Sequence, residues 1–388
     1  RMLHQPIVVR DPGAKDAGEG DKVCVELLSY PERPDELAEG VITEVLGEKG
    51  DPSVETVGVM RAFGLKEGFD ESVLNDARRA AQSFDDDAIP ADRVDLTDLF
   101  ICTIDPPDAR DFDDAISLVR LEPGRKDGAV YELGVHIADV AHFVQTGTAL
   151  DEEAYARGNS TYLPRRVIPM LPELLSNGVC SLQEGVNRFV KSAFVRYDNK
   201  GNVVSERFTR SVIRSARRLT YIEAQALIDG DIRTALKHSK SEGKYPDGLA
   251  EQLRLMDELA KIIRPRRLDA GMIVLGLPEV ELVYDEAGNV VDAEPEDNAF
   301  THTIIEMFMV EANEATARLF DAMSLPMIRR IHPDPDAHDV GDLRQFARVA
   351  GYNIPARPSR RELQALLEAV RGKPAQHAVH MAVLRTLS

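Results

Sequence analysis

From Thr103 to Ala115 the chain reads Thr-Ile-Asp-Pro-Pro-Asp-Ala-Arg-Asp-Phe-Asp-Asp-Ala, with five aspartates in the ten positions Asp105 to Asp114. Apolar residues flank and interrupt the run: Ile104, Phe112, Ala115 and Ile116. Some of these carboxylates must therefore lie near a core. Ionised carboxylates packed together raise one another's pKa, and desolvation adds to the cost. A bound divalent cation removes it, and a donor set of carboxylate oxygens alone favours Mg²⁺ or Mn²⁺ over softer metals. An EF-hand loop starting at Asp111 fails, because Ala115 and Ile116 stand where an oxygen ligand and a glycine are needed. A solvated acidic loop describes Asp85-Asp86-Asp87 better than it describes this interrupted run. Magnesium held by several aspartates suits phosphodiester chemistry: it activates a water, stabilises the leaving oxygen and offsets charge on the transferring phosphoryl group.

The substrate of such chemistry is an anion, and the net charge of −19 over 388 residues argues, taken alone, against nucleic acid. The average hides an exception. Between Arg157 and Arg218 stand twelve Lys and Arg against Glu173, Glu184, Asp198 and Glu206, a local charge of +8 that leaves −27 elsewhere. An acidic shell around one basic tract fits a groove for an anion. A solvated basic face fits the same numbers, and charge alone leaves both open.

The elements that must carry these residues follow from periodicity. Residues 1 to about 70 read as short strands, Pro6–Arg10, Lys22–Leu28 and Leu37–Leu46, with the spacing of a small barrel. Glu71 to Phe84 is helical, and Asp85–Asp87 with Asp92–Asp98 makes an acidic linker. Beyond Leu99 the pattern is mixed. Phe100–Ile104, Ala115–Val119 and Val130–Val135 look like strands, and Arg188–Tyr197 with Val203–Ile213 flank a turn at Asp198–Gly201. Helical stretches are Gly147–Arg157, Tyr221–Ile228, Ala250–Ile263, Phe300–Ala322, Asp339–Gly351, Ser359–Arg371 and Ala375–Leu387. The expected fold class is α+β: a β-barrel over 1–70, a linker over 71–97 and a mixed catalytic domain over 98–388. No run of about 18 apolar residues spans a membrane. Three widely spaced cysteines, Cys24, Cys102 and Cys180, fit small buried residues in a reducing, cytoplasmic compartment.

The aspartate run, with Gly134–Val144, Ser160–Pro164, Ile168–Pro172, Cys180–Leu182, Ala216–Tyr221 and Ile304–Glu306, resembles the signature blocks of the RNase II/RNase R family, in family order. Residues 1–70 resemble its second cold-shock (OB-fold) domain. The resemblance implies Mg²⁺-dependent hydrolysis of single-stranded RNA from the 3′ end to 5′-mononucleotides, by a bacterial RNase R-like monomer here truncated at both ends. Carried over, Asp105, Asp111, Asp113 and Asp114 would be metal ligands, with Asp113 the most critical. Asp108 receives no role. Tyr221 would join Asp113 as a catalytic residue near the scissile phosphate, and Glu306 would be the catalytic acid on the helix that closes the active site. Tyr162 would stack on a terminal base, as suits an enzyme indifferent to sequence, and Arg110, Arg165 and Arg166 would contact RNA. His136, His142 and His302 are expected to be packed, hydrogen-bonded residues.

Three departures stand out. Met307 follows Glu306 where the family often has a second acid, and Glu311 is not an obvious substitute. Leu275 stands where an aromatic usually sandwiches the base. The family's late Ser-Pro-Ile-Arg-Arg-Tyr block, whose arginine meets the reacting phosphate, is absent. Such a loss costs roughly 10³ or more in rate, so this chain is expected to be weakly active or inactive as it stands. The alternative function is an RNA-binding protein with a catalytically dead domain.

Overall fold

The computed structural model describes every residue except 1–4, 32, 34–35, 278–279, 296, 298, 332–333, 336 and 388. The chain forms two compact units, one of residues 1–78, 144–172 and 281–294, the other of residues 79–143, 173–280 and 295–388. No helix among the described residues is long and apolar enough to cross a membrane.

The first unit holds a three-stranded sheet. Ala38–Glu48 lies at its centre, pairing antiparallel with Asp21–Ser29 and parallel with Ile7–Val9. The expected barrel is an open sheet among the described residues, and a helix, Pro52–Ala62, follows it where only strands were read. The chain turns helical there because the Asp51 carboxylate accepts from the Ser53 and Val54 amides and Pro52 needs no donor at the first helical position. A second small sheet pairs Thr161–Leu163 with Arg166–Ile168, and a third pairs Val280–Tyr284 with Val290–Pro295.

The second unit is built on a seven-stranded sheet in the order Arg217–Thr220, Cys102–Asp105, Asp114–Arg120, Tyr131–Ala138, Asn187–Tyr197, Val203–Arg214, Val94–Asp95. The expected linker thus supplies the last edge strand, Val94–Asp95. Alternation along the strands sorts two cores. Ile116, Leu118, Leu133, Val135, Val195 and Tyr197 face the helices Tyr221–Asp229, Leu249–Asp269 and Phe300–Ala322. Their neighbours Ala115, Ala138, Val190 and Ile213 point the other way, to Ile101, Phe112 and Leu182. Across the central strands His136 bonds Ser117 Oγ at 3.0 Å and Ser192 Oγ at 2.8 Å, fully buried, as expected of a packed histidine. Gly134 makes room for this: a Cβ there would lie 2.4 Å from Ser117 Oγ.

Three C-terminal helices, Ala337–Val349, Arg360–Val370 and Gln376–Thr386, gather a separate cluster around Leu343, Leu366, Leu367 and Val379. Leu275 packs at its margin.

Candidate active site

The aspartate loop joins two antiparallel strands that pair only at Cys102 and Ile116. Asp105 is the last residue of one strand and Asp114 the first of the next. Prolines 106 and 107 cannot donate to a ladder, so the chain leaves the sheet directly after Asp105. Four pins then hold the excursion. The Ser181 hydroxyl donates to Arg110 O at 2.9 Å and accepts from the Phe112 amide at 3.1 Å. The Leu182 amide donates to Phe112 O at 2.8 Å, and the Ala138 amide to Asp113 O at 2.9 Å. Arg218 Nη2 donates to Ala109 O at 3.1 Å and Pro107 O at 3.3 Å, with its guanidinium over the Phe112 ring. The Cys180-Ser181-Leu182 block therefore has a mechanical use: it fixes the loop's shape.

Electrostatics couples the carboxylates. Burial, then the neighbouring Asp114, pushes the Asp105 carboxyl up to about 7. Burial raises Asp114 as well. Asp113 is open to solvent, yet the surrounding protein raises its carboxyl, with Asp111 and Asp114 adding to the effect. The Asp105 Oδ2 atom is buried without a hydrogen-bond partner. A buried oxygen left unpaired costs about 1–3 kcal/mol, and a hard divalent cation would satisfy it. The oxygen-only donor set fits such an ion. The four side chains are not gathered to ligating distance: among the described residues, the acidic group whose oxygens lie within 4.8 Å of one another is the exposed Asp85, Asp86 and Asp87. Asp108 is exposed at the loop tip, as is Arg110.

Tyr221 reaches the same place by strand register. Arg217–Thr220 runs parallel to Cys102–Asp105, with Thr220 opposite Asp105. Thr220 caps the next helix with Glu223, so Tyr221 is its first residue. The Tyr221 ring lies 3.7 Å from that of His302, nearly parallel, and its carbonyl accepts from Thr301 Oγ1 at 2.8 Å. His302 Nε2 in turn meets Asp297 Oδ1 at 3.0 Å. These contacts carry the start of helix Phe300–Ala322 to Tyr221, and Glu306 lies exposed one turn beyond His302.

The fold thus places the backbones of Asp105 to Asp114 and of Tyr221 at neighbouring strand ends, with Glu306 on the helix tied to Tyr221, while the four aspartate side chains are not gathered to ligating distance of one another. It adds His302 and Arg218, neither of which sequence reasoning assigned to the site. For His302 the signal was its place one turn before Glu306. Tyr162, Arg165 and Arg166 belong to the other compact unit. There Tyr162 is 68% exposed on the short hairpin, Arg165 occupies its left-handed turn at φ 58°, and Arg166 pairs with Glu67 at 3.2 Å.

The basic tract divides: some of its cations are buried braces and others, such as Lys191, Lys200, Arg210 and Arg214, stay exposed. Arg188 and Arg217 are buried, donating to backbone carbonyls such as Ser181 O and Glu242 O. Lys191, Arg196 and Arg210 pair with Asp139, Glu132 and Asp92.

The departures have structural sense. Met307 is fully buried in the main core, so an acid there would be desolvated, while Glu306 faces out. Glu311, 1% exposed, is bonded to Tyr197 Oη, Arg266 and Arg267. It braces the core and does not replace the missing acid.

Residues 93–388 match the RNB domain and residues 1–70 the cold shock domain. Ribonuclease R of Thermotoga maritima is 37% identical over 381 residues, covering 94% of this chain and 50% of that protein. Ribonuclease R 1 of Lactococcus lactis is 33% identical, covering 94% and 44%. The chain spans about half the length of the curated relatives it matches. Mycoplasma genitalium RNase R, solved with ribose methylated single-stranded RNA, superposes with a TM-score of 0.88 at 27% identity, over 99% of this chain and 58% of that one.

Proposed function

This chain belongs to the RNB domain family, and from that premise we propose that it hydrolyses single-stranded RNA processively from the 3′ end, releasing 5′-mononucleotides. One observation carries the proposal: a loop pinned between two strand ends holds carboxylates that raise one another's pKa, with one Asp105 oxygen buried and unpaired. The relatives are named ribonuclease R, and one was solved with single-stranded RNA, which supports RNA as the substrate.

A divalent cation, Mg²⁺ or Mn²⁺, would activate the attacking water and stabilise the leaving oxygen. Asp105, Asp111, Asp113 and Asp114 would hold it, with Asp113, open to solvent, on the ion that orients the water. Tyr221 would meet the scissile phosphate with its hydroxyl while His302 fixes the ring plane. Glu306 would face the substrate from the helix beside Tyr221. Tyr162 would stack on a base, with Arg110, Arg165 and Arg166 against phosphates. Residues 1–70 would guide the strand, with 71–97 as connector and 98–388 as the catalytic domain. The free thiols, with Cys102 and Cys180 buried and pushed up to about 12 by that burial, support a reducing cytoplasmic setting, in which the protein would act as a monomer.

The test incubates the full-length parent protein with Mg²⁺ and single-stranded RNA labelled at either end, since this chain alone is expected to be weakly active or inactive. Stepwise loss from the 3′ end, abolished by Asp113→Asn, is the expected result. RNA bound and left intact would mark a dead domain and overturn the proposal.

A further inference from the structure

We infer that Arg218 is a positioning residue for the aspartate loop, holding the backbone from which its carboxylates would converge on a divalent cation. The inference rests on the proposed reading of that loop as a cation site. Arg218 lies on the edge strand beside Asp105, in register with Thr103. Its backbone amide donates to Glu184 Oε2 at 2.9 Å, a second anchor that does not involve the loop. Its guanidinium grips the loop at three points: the carbonyls of Pro107 and Ala109 and the face of Phe112, 4.5 Å from the ring centroid. Ser181 grips the same segment through Arg110 and Phe112. Between them the two side chains fix residues 107 to 112, the span that carries Asp111 and leads directly into Asp113.

Charge and geometry predict opposite signs here. A fixed positive charge beside a cation site opposes binding by Coulomb repulsion, so on charge alone removing Arg218 tightens the site. A guanidinium that holds the loop does the reverse. Its planar fork reaches two carbonyls while its face covers a ring, which a lysine ammonium cannot do.

The experiment measures Mn²⁺ affinity of the purified protein by electron paramagnetic resonance, with circular dichroism confirming the fold of each variant. Arg218→Gln and Arg218→Lys are each expected to weaken Mn²⁺ about tenfold or more, the range for residues that orient metal ligands. Ser181→Ala is expected to weaken it in the same direction. Unchanged or tighter binding in a folded Arg218→Gln protein overturns the inference. If that variant does not fold, Arg218→Lys, which keeps the stem and the charge, decides it in the same way. Asp113→Asn is the control for the site itself. A parent protein with no Asp113-dependent Mn²⁺ binding would sink the cation reading and this inference with it. Intact parent binding with unaffected Arg218 variants sinks the inference alone.

Discussion

Thr220 pairs with Asp105 across two parallel strands, so the helix that starts at Tyr221 begins beside the aspartate loop. The Tyr221 ring is then fixed by its stack on His302. Tyr221→Phe keeps the ring and the stack and removes only the hydroxyl. We expect kcat on a short RNA to fall about 100-fold, as for loss of one donor to developing charge, with Tm unchanged. A full-rate Tyr221→Phe enzyme would leave the hydroxyl without a part in the reaction.

Asp105 gives a prediction in two signs. Its folded carboxyl titrates near 7 against about 4 when unfolded, so the folded state holds its proton more tightly. Stability from this group is complete below about pH 4 and is lost as pH rises towards 7. In EDTA at pH 7.5, Asp105→Asn should therefore be more stable than the parent, by on the order of a few kcal/mol. Saturating Mg²⁺ should stabilise the parent by about 2.7 kcal/mol at a hundred times Kd, and the variant far less. Urea unfolding with and without Mg²⁺ measures both.

His136 behaves oppositely with pH. Burial depresses its folded pKa to about 3, from an ordinary value near 6.5. The unfolded chain takes up the proton first, so stability is complete above about pH 6.5 and falls as pH drops towards 3, by about 1.4 kcal/mol per unit. His136→Gln should be less stable at pH 7.5 but should show a flatter decline between pH 6.5 and 4.5. Parallel pH profiles for the two proteins would show that His136 stays uncoupled from folding.

Glu311 neutralises Arg266 and Arg267 and accepts from Tyr197 Oη at 2.9 Å. Glu311→Leu removes the buried carboxylate shared by two partly buried guanidinium groups and a buried phenol, leaving Arg266 with Gly201 O and Arg267 with Glu314. Breaking such a network costs about 3–5 kcal/mol. We expect a loss of that order in urea unfolding, while Glu314→Gln, at the half-exposed end of the same network, should cost under about 1 kcal/mol.

Much of this molecule was legible before its structure. Period-2 alternation marked the central strands, and the apolar stripe from Ile304 to Leu319 gave the bounds of helix Phe300–Ala322. The helix Pro52–Ala62 escaped because its apolar residues do not favour one face; its real signal was the Asp51-Pro52 start. The hairpin around Pro164 and Arg165 escaped because its strands are three residues each. At the site, composition exposed the aspartates, since their mutual repulsion is a property of sequence spacing. It could not show that Arg188 and Arg217 are buried braces, because a count of cations carries no direction. Nor could it tell His302 from His136. One stacks on Tyr221 and the other sits between two serines, and only the register of distant strands and helices separates them.

The four pins on the aspartate loop also govern what mutation can do to its length. Ala138, Ser181, Leu182 and Arg218 reach it from three separate stretches of chain, and each meets a particular backbone atom between Pro107 and Asp113. Adding or deleting one residue there would shift the pinned atoms past their partners and turn the carboxylates away from one another. Surface loops ordinarily tolerate such changes in length. This one is as fixed in count as a gear tooth, so the interval from Asp105 to Asp114 is set by mechanics as much as by the chemistry of its acids.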